Sequence, residues 1–284
     1  MNHAIHTRRK LVWVNSTYAV IVNSLLIGIA FLSMAPLLWM VSVSLMSPGE
    51  SGNFPPPILP VNASLYNYKV LFTRGGMGGF FINSFLLAAL TTTISLMFNV
   101  SAGYAFAKLH FAGRERIFKL LLSALVIPGQ VAMLPLFLLL KNMGLVNTYA
   151  GVVIPGMAGI FGIFLVRQYA RTIPDDLLEA ARMDGAGELL IFVRIVLPIL
   201  KPVLATLAIF TFLGSWNDFM WPLIVLTDSA LHTLPVALSA LSREHVQDSE
   251  LMMAGAVVTI LPVLLLFLAL QRFYISGLMM GAVK

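Results

Sequence analysis

The chain has 284 residues, of which 59% are apolar and only 11% are charged. That charged share is about half that of an ordinary soluble domain, so the polar surface is too small to cover a core in water, and the chain belongs in a bilayer. Its net charge of +6 comes from scattered bases rather than the basic, aromatic-interleaved stripe of a nucleic-acid-binding protein. Cysteine is absent, which excludes disulfides, thiolate metal sites and cysteine nucleophiles.

Six apolar stretches are long enough to cross a hydrocarbon core, which needs roughly 20 helical residues. The first follows the basic cluster "RRK" at 8–10, but it is too long for a signal peptide and lacks a small-residue cleavage site, so we expect an uncleaved helix. The predicted crossings are 18–46, 80–106, 117–140, 150–170, 199–227 and 251–271. The sequence therefore predicts an all-α polytopic membrane protein, with a six-helix transmembrane domain at 18–271 between the tails 1–17 and 272–284.

Lysine and arginine are unevenly divided among the connections between these crossings. Fourteen of the 18 lie in the two tails and in the connections 107–119 and 167–201, whereas four lie in the alternate connections. Because cytoplasmic loops are enriched in Lys and Arg, this division predicts that both termini are cytoplasmic. One of the alternate connections, 228–250, is rich in acids and either faces a partner or simply faces water. Its charged side chains are Asp228, Arg243, Glu244, Asp248 and Glu250.

A polar, glycine-punctuated segment, LLEAARMDGAGELLIFVRIVLPILKP at 177–202, lies between the fourth and fifth predicted crossings. Asp175 suits the positive end of a helix dipole, and Thr172 stands three residues before it, as in a capping box. Gly185 and Gly187 supply a stop after about 11 helical residues. Such a helix is near the lower limit for standing alone in water, so it is expected to lean on something.

A second, mostly apolar helical run is predicted at 189–197, after which Pro198 and Pro202 are expected to interrupt the backbone where the fifth crossing begins. The two short helices and their glycine corner form what we call the bracket. One interpretation is an amphipathic helix resting on the inner leaflet. The five acids within 175–188 face a single Arg182, which argues against an anionic lipid surface and favours a cationic protein partner.

At the bracket the sequence resembles a known family. The pattern E-A-A, then G after three further residues, then I-x-L-P, fits here without gaps, and it resembles the cytoplasmic loop of ATP-binding-cassette (ABC) importer permeases. The residues that fit are Glu179, Ala180, Ala181, Gly185, Ile195, Leu197 and Pro198. "FINS" at 81–84, "GSWNDFMWPL" at 214–223 and "FYISGLMMGAVK" at 273–284 resemble the carbohydrate-uptake branch, similar to the smaller permease subunit of maltose-type systems.

This resemblance implies that the loop 172–198 docks in a groove of a cytoplasmic ATPase and transmits its motion. Glu179 would make polar contact, Ala180 and Ala181 would permit a close fit, and Gly185 would form the corner. The implied coupling residues are Glu179, Ala180, Ala181, Asp184, Gly185, Ile195 and Pro198. The C-terminal tail, including Gly277 and Gly281, would touch the same ATPase.

The implied partners are a second permease subunit, two copies of a cytoplasmic ABC ATPase, an extracytoplasmic sugar-binding protein and membrane lipid, but no nucleic acid. The implied location is a bacterial inner membrane, with several crossings. The chain contains no Walker A pattern, so ATP is expected to be bound and hydrolysed by the partner ATPase, and no cofactor is expected here.

Polar and aromatic side chains within or beside the predicted crossings are the candidates for contact with a sugar. Asp218 is the only acid inside a predicted crossing, about 25 Å along the fifth helix, where ionisable groups usually face a cavity or a partner. The candidate substrate-path residues are Asn83, Gln130, Trp216, Asn217 and Asp218. The alternatives are an aromatic belt at the outer interface and hydrogen bonds within the bundle.

Three function classes compete: a non-catalytic permease subunit of an ATP-driven importer of a di- or oligosaccharide or glycerol phosphate ester, an ion-coupled secondary transporter, and a membrane enzyme. A secondary transporter predicts inverted repeats and several intramembrane ionisable residues, but the sequence has one such acid and no evident repeat. Neither an acid–base pair nor a nucleophile arrangement is present, and the five histidines are dispersed, so neither a catalytic nor a metal site is predicted.

Overall fold

The structure is a computed structural model that describes residues 2–244 and 248–279, with side chains described for 18–242 and 248–269. Its regular elements are helices, and no strand occurs within those residues, which confirms the all-α prediction. The α-helices are α1 (Asn2–Ser44), α2 (Tyr66–Thr73), α3 (Met77–Lys108), α4 (Arg114–Ala124), α5 (Gly129–Asn142), α6 (Tyr149–Val153), α7 (Ile160–Ala170), α8 (Asp175–Met183), α9 (Glu188–Ile191), α10 (Leu197–Trp216), α11 (Met220–Val225), α12 (Leu234–Glu244) and α13 (Ser249–Met279).

Four uninterrupted helical segments are long and apolar enough to cross a membrane, and the count rises to six if each of two bent helix pairs is one crossing. The four are Tyr18–Ser44, Met77–Lys108, Glu188–Trp216 and Ser249–Ala269. They overlap the first, second, fifth and sixth predicted crossings. The third and fourth predicted crossings correspond to the bent pairs.

The third predicted crossing, 117–140, is divided into α4 and α5, which meet at an angle of 103°. Pro128 precedes α5 in an extended conformation, with φ −61° and ψ 130°. A proline also disfavours the helical region for the residue before it, so the backbone leaves the helix ahead of Pro128. The fourth predicted crossing, 150–170, bends by only 41° between α6, with its short 3₁₀ extension, and α7.

The fifth predicted crossing, 199–227, is wrong at both ends. Continuous helix begins at Glu188, passes through a π-helical turn at Phe192–Val196 and ends at Trp216. Asp218 therefore lies in the short break before α11. The prediction had placed it inside the fifth helix, so that prediction is wrong.

The described chain forms two compact units, of which the larger contains α3 to α12 and the part of α13 beyond Val257. In this unit α3 packs against both α7 and α10. A Cβ built on Gly103 of α3 would lie 2.6 Å from the Cβ of Val166 in α7, so only glycine permits this close approach. Asn99 strengthens the same contact, because its Oδ1 accepts a hydrogen bond of 2.9 Å from the Gly159 amide at the start of α7.

The smaller unit contains the described residues up to Arg74 together with the first turns of α13. Glu250 is 1% exposed there, and its Oε1 accepts a 2.8 Å hydrogen bond from the Ser51 amide. Neither of the two alternatives for the 228–250 connection, facing a partner or facing water, describes this side chain. Asp228 and Asp248 accept hydrogen bonds from backbone amides two or three residues later in the chain, as helix-capping acids do.

Candidate functional site

Helix α8, the first arm of the bracket, has one face in the core and one face exposed. Leu178 is 1% exposed and lies in the hydrophobic cluster that includes Ile191 and Leu200. Ala181, one turn later, is half-buried and packs against the same cluster. Glu179 and Ala180 are exposed. The two adjacent alanines therefore have different surroundings, and only Ala180 is presented outward beside the glutamate.

The predicted capping box at the start of α8 is wrong. The Thr172 hydroxyl donates a 2.7 Å hydrogen bond to the Tyr169 carbonyl, and the residue before the helix is Pro174. The Thr172 hydroxyl therefore bonds to the last turn of α7, and no side chain caps the start of α8. Asp175 in the first turn still suits the positive end of the dipole, as predicted.

The glycine corner after α8 is a Schellman motif. Gly185 has a left-handed φ of +84°. The Ala186 amide donates to the Ala181 carbonyl and the Gly185 amide donates to the Arg182 carbonyl, both at 3.0 Å, which is the paired bonding of that motif. Asp184 is the C-cap residue, and it is exposed. Gly187 has φ −73°, so the special backbone conformation is required at Gly185 alone.

The second arm of the bracket merges with the fifth crossing instead of stopping at the prolines. The Leu197 amide donates to the Phe192 carbonyl, a bond across five residues that widens the turn ahead of Pro198. Because this turn is already wide, the ring of Pro198 does not break the helix. Ile195 is half-buried against the core cluster, whereas Pro198 is exposed.

An ion pair joins the two arms of the bracket across the glycine corner. The Arg182 Nε atom lies 2.7 Å from Oε1 of Glu188. The hydrogen bond to the Glu188 carboxylate raises the pKa of the Arg182 guanidinium, so this cation stays charged at every physiological pH. The pair holds the last turn of α8 against the first turn of α9.

Two residues that the sequence did not single out hold the bracket from α3. Lys108 Nζ lies 2.6 Å from Oδ1 of Asp175, and the Tyr104 hydroxyl donates a 3.1 Å hydrogen bond to Oε2 of Glu188. The Lys108 hydrogen bond lowers the pKa of the Asp175 carboxyl. In the sequence Lys108 counted only as a loop base, and Tyr104 lay in an apolar run. Their partners are 67 and 84 residues away, a separation that no local pattern reveals.

Asn83 is a structural side chain in the described molecule. Its Nδ2 donates to the carbonyls of Ala230 and His232 at 2.8 and 3.0 Å, and its Oδ1 accepts a 2.7 Å hydrogen bond from the Tyr149 hydroxyl. Both amide hydrogens are therefore used within the protein, and none remains for a sugar hydroxyl. Trp216 is also a structural side chain, because it is 1% exposed and its Nε1 donates a hydrogen bond to the Thr259 carbonyl.

Asn217 and Asp218 occupy the break between α10 and α11. Asn217 is exposed, and its Nδ2 donates to the Leu213 carbonyl of its own helix. Asp218 is half-buried and accepts a 3.3 Å hydrogen bond from the Trp221 amide. Gln130 is exposed beside the sharp bend between α4 and α5.

Contacts link most of the candidate substrate-path residues into one neighbourhood. The Trp216 ring meets the Phe81 ring edge-on at 5.6 Å between centroids, and Phe81 precedes Asn83 by two residues on α3. Trp221, which follows Asp218, donates from its indole to the Gly151 carbonyl of α6, the helix that carries Tyr149. None of the described hydrogen bonds and ring contacts joins Gln130 to this group.

Metal ligands do not gather anywhere in the part of the chain that the structure describes, where no group of three or more His, Asp or Glu could hold an ion. Gly281 lies outside the described residues, and Gly277 lies in the final turns of α13, where only the backbone is described. The predicted contact of the tail with an ATPase therefore remains a prediction.

Long apolar helices and two bent helix pairs, together with a polar bracket anchored to the core, define a membrane-embedded transport subunit. The chain belongs to the family of binding-protein-dependent transport system inner membrane components, whose sequence profile matches residues 99–278. Members are non-catalytic permease subunits of ABC importers in the inner membrane, and a separate ATPase hydrolyses ATP. This permease works with a substrate-binding protein.

Curated relatives match the chain over most of its length. It is 40% identical over 263 residues to the arabinooligosaccharides transport system permease protein AraQ of Halalkalibacterium halodurans, covering 90% of this chain and 93% of that protein. It is 36% identical over 230 residues to the melibiose/raffinose/stachyose import permease protein MelC of Bacillus subtilis, covering 80% and 83%.

A solved structure has the same fold. The crystal structure of a bacterial ABC transporter involved in the import of the acidic polysaccharide alginate contains a chain that superposes with a TM-score of 0.81 at 25% sequence identity. The match covers 89% of this chain and 95% of that chain. The overall fold is therefore one already seen in an importer.

Proposed function

We propose that this permease forms half of the translocation path for a di- or oligosaccharide, or for a glycerol phosphate ester, and that it is driven through the bracket by a separate ATPase. The complete importer would contain a second permease subunit, two copies of the cytoplasmic ABC ATPase and an extracytoplasmic sugar-binding protein. ATP would be bound by the ATPase subunits. The relatives that import arabinooligosaccharides and raffinose-type sugars support the sugar class.

The observation that carries the coupling proposal is the two-sided surface of α8. One face, with Leu178, is fixed in the core, whereas the opposite face presents Glu179 and Ala180 to the surroundings. A helix anchored in this way moves as a rigid body, so a force applied to its exposed face reaches the bundle instead of being lost in loop motion. Two-state transport needs such rigidity, because moving an equilibrium from 1:99 to 99:1 takes about 5.5 kcal/mol of differential binding.

The coupling residues take distinct roles in this proposal. Glu179 makes the polar contact with a cationic groove of the ATPase, and Ala180 lets the groove approach the helix backbone closely. Ala181 packs inward and fixes the orientation of α8. Asp184 and Gly185 form the corner, while Ile195 and Pro198 connect the second arm to the fifth crossing.

Three of the five candidate substrate-path residues carry the proposal about sugar contact. Asn217 is exposed and Asp218 half-buried in a helix break, where polar side chains can face a cavity. Gln130 is exposed beside the 103° bend. Asn83 and Trp216 support these positions from the bundle, because their donor groups are already bonded to the protein.

The coupling proposal is tested with Glu179→Lys in the complete importer. We expect sugar uptake to fall by at least about fivefold, in line with a coupling energy of about 1–3 kcal/mol, while the protein still inserts and assembles in the membrane. Lys119→Glu is the control, since it also reverses one exposed charge but lies in α4, which is not part of the bracket. Normal uptake by Glu179→Lys would contradict the proposal.

The substrate class is tested by measuring ATP hydrolysis of the reconstituted complex with its binding protein and a panel of ligands. The panel contains arabinooligosaccharides, melibiose, raffinose, stachyose and glycerol 3-phosphate. We expect one chemical class to stimulate hydrolysis. Stimulation by none of these sugars or phosphate esters would reject the proposed substrate class.

A further inference from the structure

The C-terminal end of α3 carries two buried polar side chains on one face. Tyr104 and Lys108 are four residues apart, so they lie one above the other on the helix surface. They are 4% and 9% exposed. Neither belongs to the E-A-A motif or to the candidate substrate path, and each of them bonds to the bracket.

Lys108 holds the beginning of α8. Its Nζ donates to Asp175 Oδ1 at 2.6 Å and also to the Ile173 carbonyl. The Lys108 side chain is 6% exposed, whereas that of Asp175 is 74% exposed. A buried ammonium without its carboxylate is strongly unfavourable, so the first residue of α8 is held at α3.

Tyr104 holds the other end of α8 through one intermediate. Its hydroxyl donates to Glu188 Oε2, and Oε1 of the same carboxylate accepts from Arg182 in the last turn of α8. The two oxygens of Glu188 therefore connect α3 to the far end of α8. Arg182 follows Asp175 by seven positions, about 10 Å along a helix, and Lys108 follows Tyr104 by four positions, about 6 Å.

The polypeptide chain connects α8 directly to helices other than α3. The chain before α8 leads to α7, and the chain after the glycine corner leads through α9 to α10. The bonds from Tyr104 and Lys108 add α3, a helix of 32 residues that packs against both α7 and α10. Helices α3, α7 and α10 are thereby all connected to α8, the first through side-chain bonds and the other two through the chain.

We propose that Tyr104 and Lys108 form an α3 grip, a pair of positioning residues that makes α3 move with α8 when the ATPase moves α8. This inference rests on the proposed docking of α8 to the ATPase. The grip residues touch neither ATP nor the sugar. They act by preventing α8 from sliding relative to α3.

The grip is tested by the distance between α8 and the far end of α3 in the complete importer. Because the chain has no cysteine, spin labels can be attached at Met183→Cys and Gly79→Cys alone. Met183 is 89% exposed, and a Cβ at Gly79 would meet no atom within 4 Å. The distance is measured in lipid nanodiscs with and without a non-hydrolysable ATP analogue.

We expect the labelled protein with an intact grip to keep a narrow, unchanged distance when the analogue binds. Tyr104→Phe combined with Lys108→Met should give a distance that shifts and broadens on binding, because α8 then follows the ATPase without α3. Lys108→Arg should behave like the intact protein, since the cation is retained. Tyr18→Phe combined with Lys119→Met is the matched control, with the same chemical changes at exposed positions.

Two results would overturn the grip: a double variant whose distance stays as narrow as that of the intact protein, or an intact protein whose own distance shifts as far as the variant's. Crosslinking from Met183→Cys to the ATPase separates this failure from that of the proposed function. A retained crosslink with an unchanged variant distance rejects the grip alone. Loss of the crosslink in the protein with an intact grip rejects docking, and the grip with it.

Discussion

At the scale of single residues, Asn83 illustrates how a polar side chain in a membrane crossing can be used entirely by the protein. Its amide connects α3 to two loop carbonyls and to the hydroxyl of Tyr149. Removing it leaves buried polar groups without partners, and each such group costs about 1–3 kcal/mol. The asparagine is therefore expected to stabilise the bundle and not to select the sugar.

We predict that Asn83→Ala lowers the free energy of unfolding by about 2–4 kcal/mol, since several buried polar groups lose their partner together. The measurement is thermal unfolding of the purified subunit complex in detergent. Asn217→Ala is the matched control, because Asn217 is exposed and bonds only to its own helix. If Asn83→Ala altered sugar preference while leaving the unfolding temperature unchanged, a substrate role for the amide would replace the structural one.

Asp175 gives a residue-scale prediction about pH. The hydrogen bond from Lys108 lowers the pKa of its carboxyl below the ordinary value of about 3.9. The stabilisation is therefore fully present above that ordinary value and is lost only when the pH falls through the lower folded-state pKa. The difference in unfolding temperature between the natural protein and Asp175→Asn should stay constant from about pH 8 to pH 5. A difference that shrinks within this window would show that another group controls the contact.

At the scale of secondary structure elements, the bracket depends on one backbone conformation. Gly185 has φ +84° at the Schellman corner, where a side chain would add roughly 1–2 kcal/mol of strain. Gly187, two residues later, has an ordinary φ of −73°. We predict that Gly185→Ala reduces uptake per ATP hydrolysed, whereas Gly187→Ala has little effect. Equal effects of the two substitutions would show that glycine content, and not the corner geometry, matters in this loop.

The elements also show which parts of the structure could be predicted from the sequence. Helix length and apolar composition are local properties, so the presence and order of the long apolar segments were predictable, although the ends of the fifth were not. The glycine corner was predictable for the same reason, because a C-terminal glycine carries its own conformational preference. The angle of 103° between α4 and α5 was not, because Pro128 indicates that a helix is interrupted but not where the chain turns next.

The predicted helix ends that were wrong depend on contacts that a local sequence pattern does not reveal. The Thr172 hydroxyl had two helices within reach, and it bonds to the end of the first. Pro198 was expected to break a helix, but a π turn ahead of it provides the space for its ring. The contacts of Tyr104 and Lys108 were missed because they depend on tertiary packing that brings distant segments together.

At the scale of the whole molecule, the arrangement across the membrane remains the prediction with the widest consequences. The uneven division of lysine and arginine predicts cytoplasmic termini and a cytoplasmic bracket, with the connection after the first crossing outside. A chain without cysteine permits a direct test, because a single introduced thiol reports on its own position. Phe54 and Met183 are suitable positions, since their side chains are 98% and 89% exposed.

We predict that a membrane-impermeant maleimide added to spheroplasts labels Phe54→Cys and does not label Met183→Cys until the membrane is made permeable. The reason is that three crossings, an odd number, separate the two positions when both bent pairs span the bilayer, as six crossings require. With six crossings, 54 follows the first and 183 follows the fourth. Labelling of both positions in sealed spheroplasts would place the bracket outside the cell, out of reach of ATP, and would remove the basis for coupling through it.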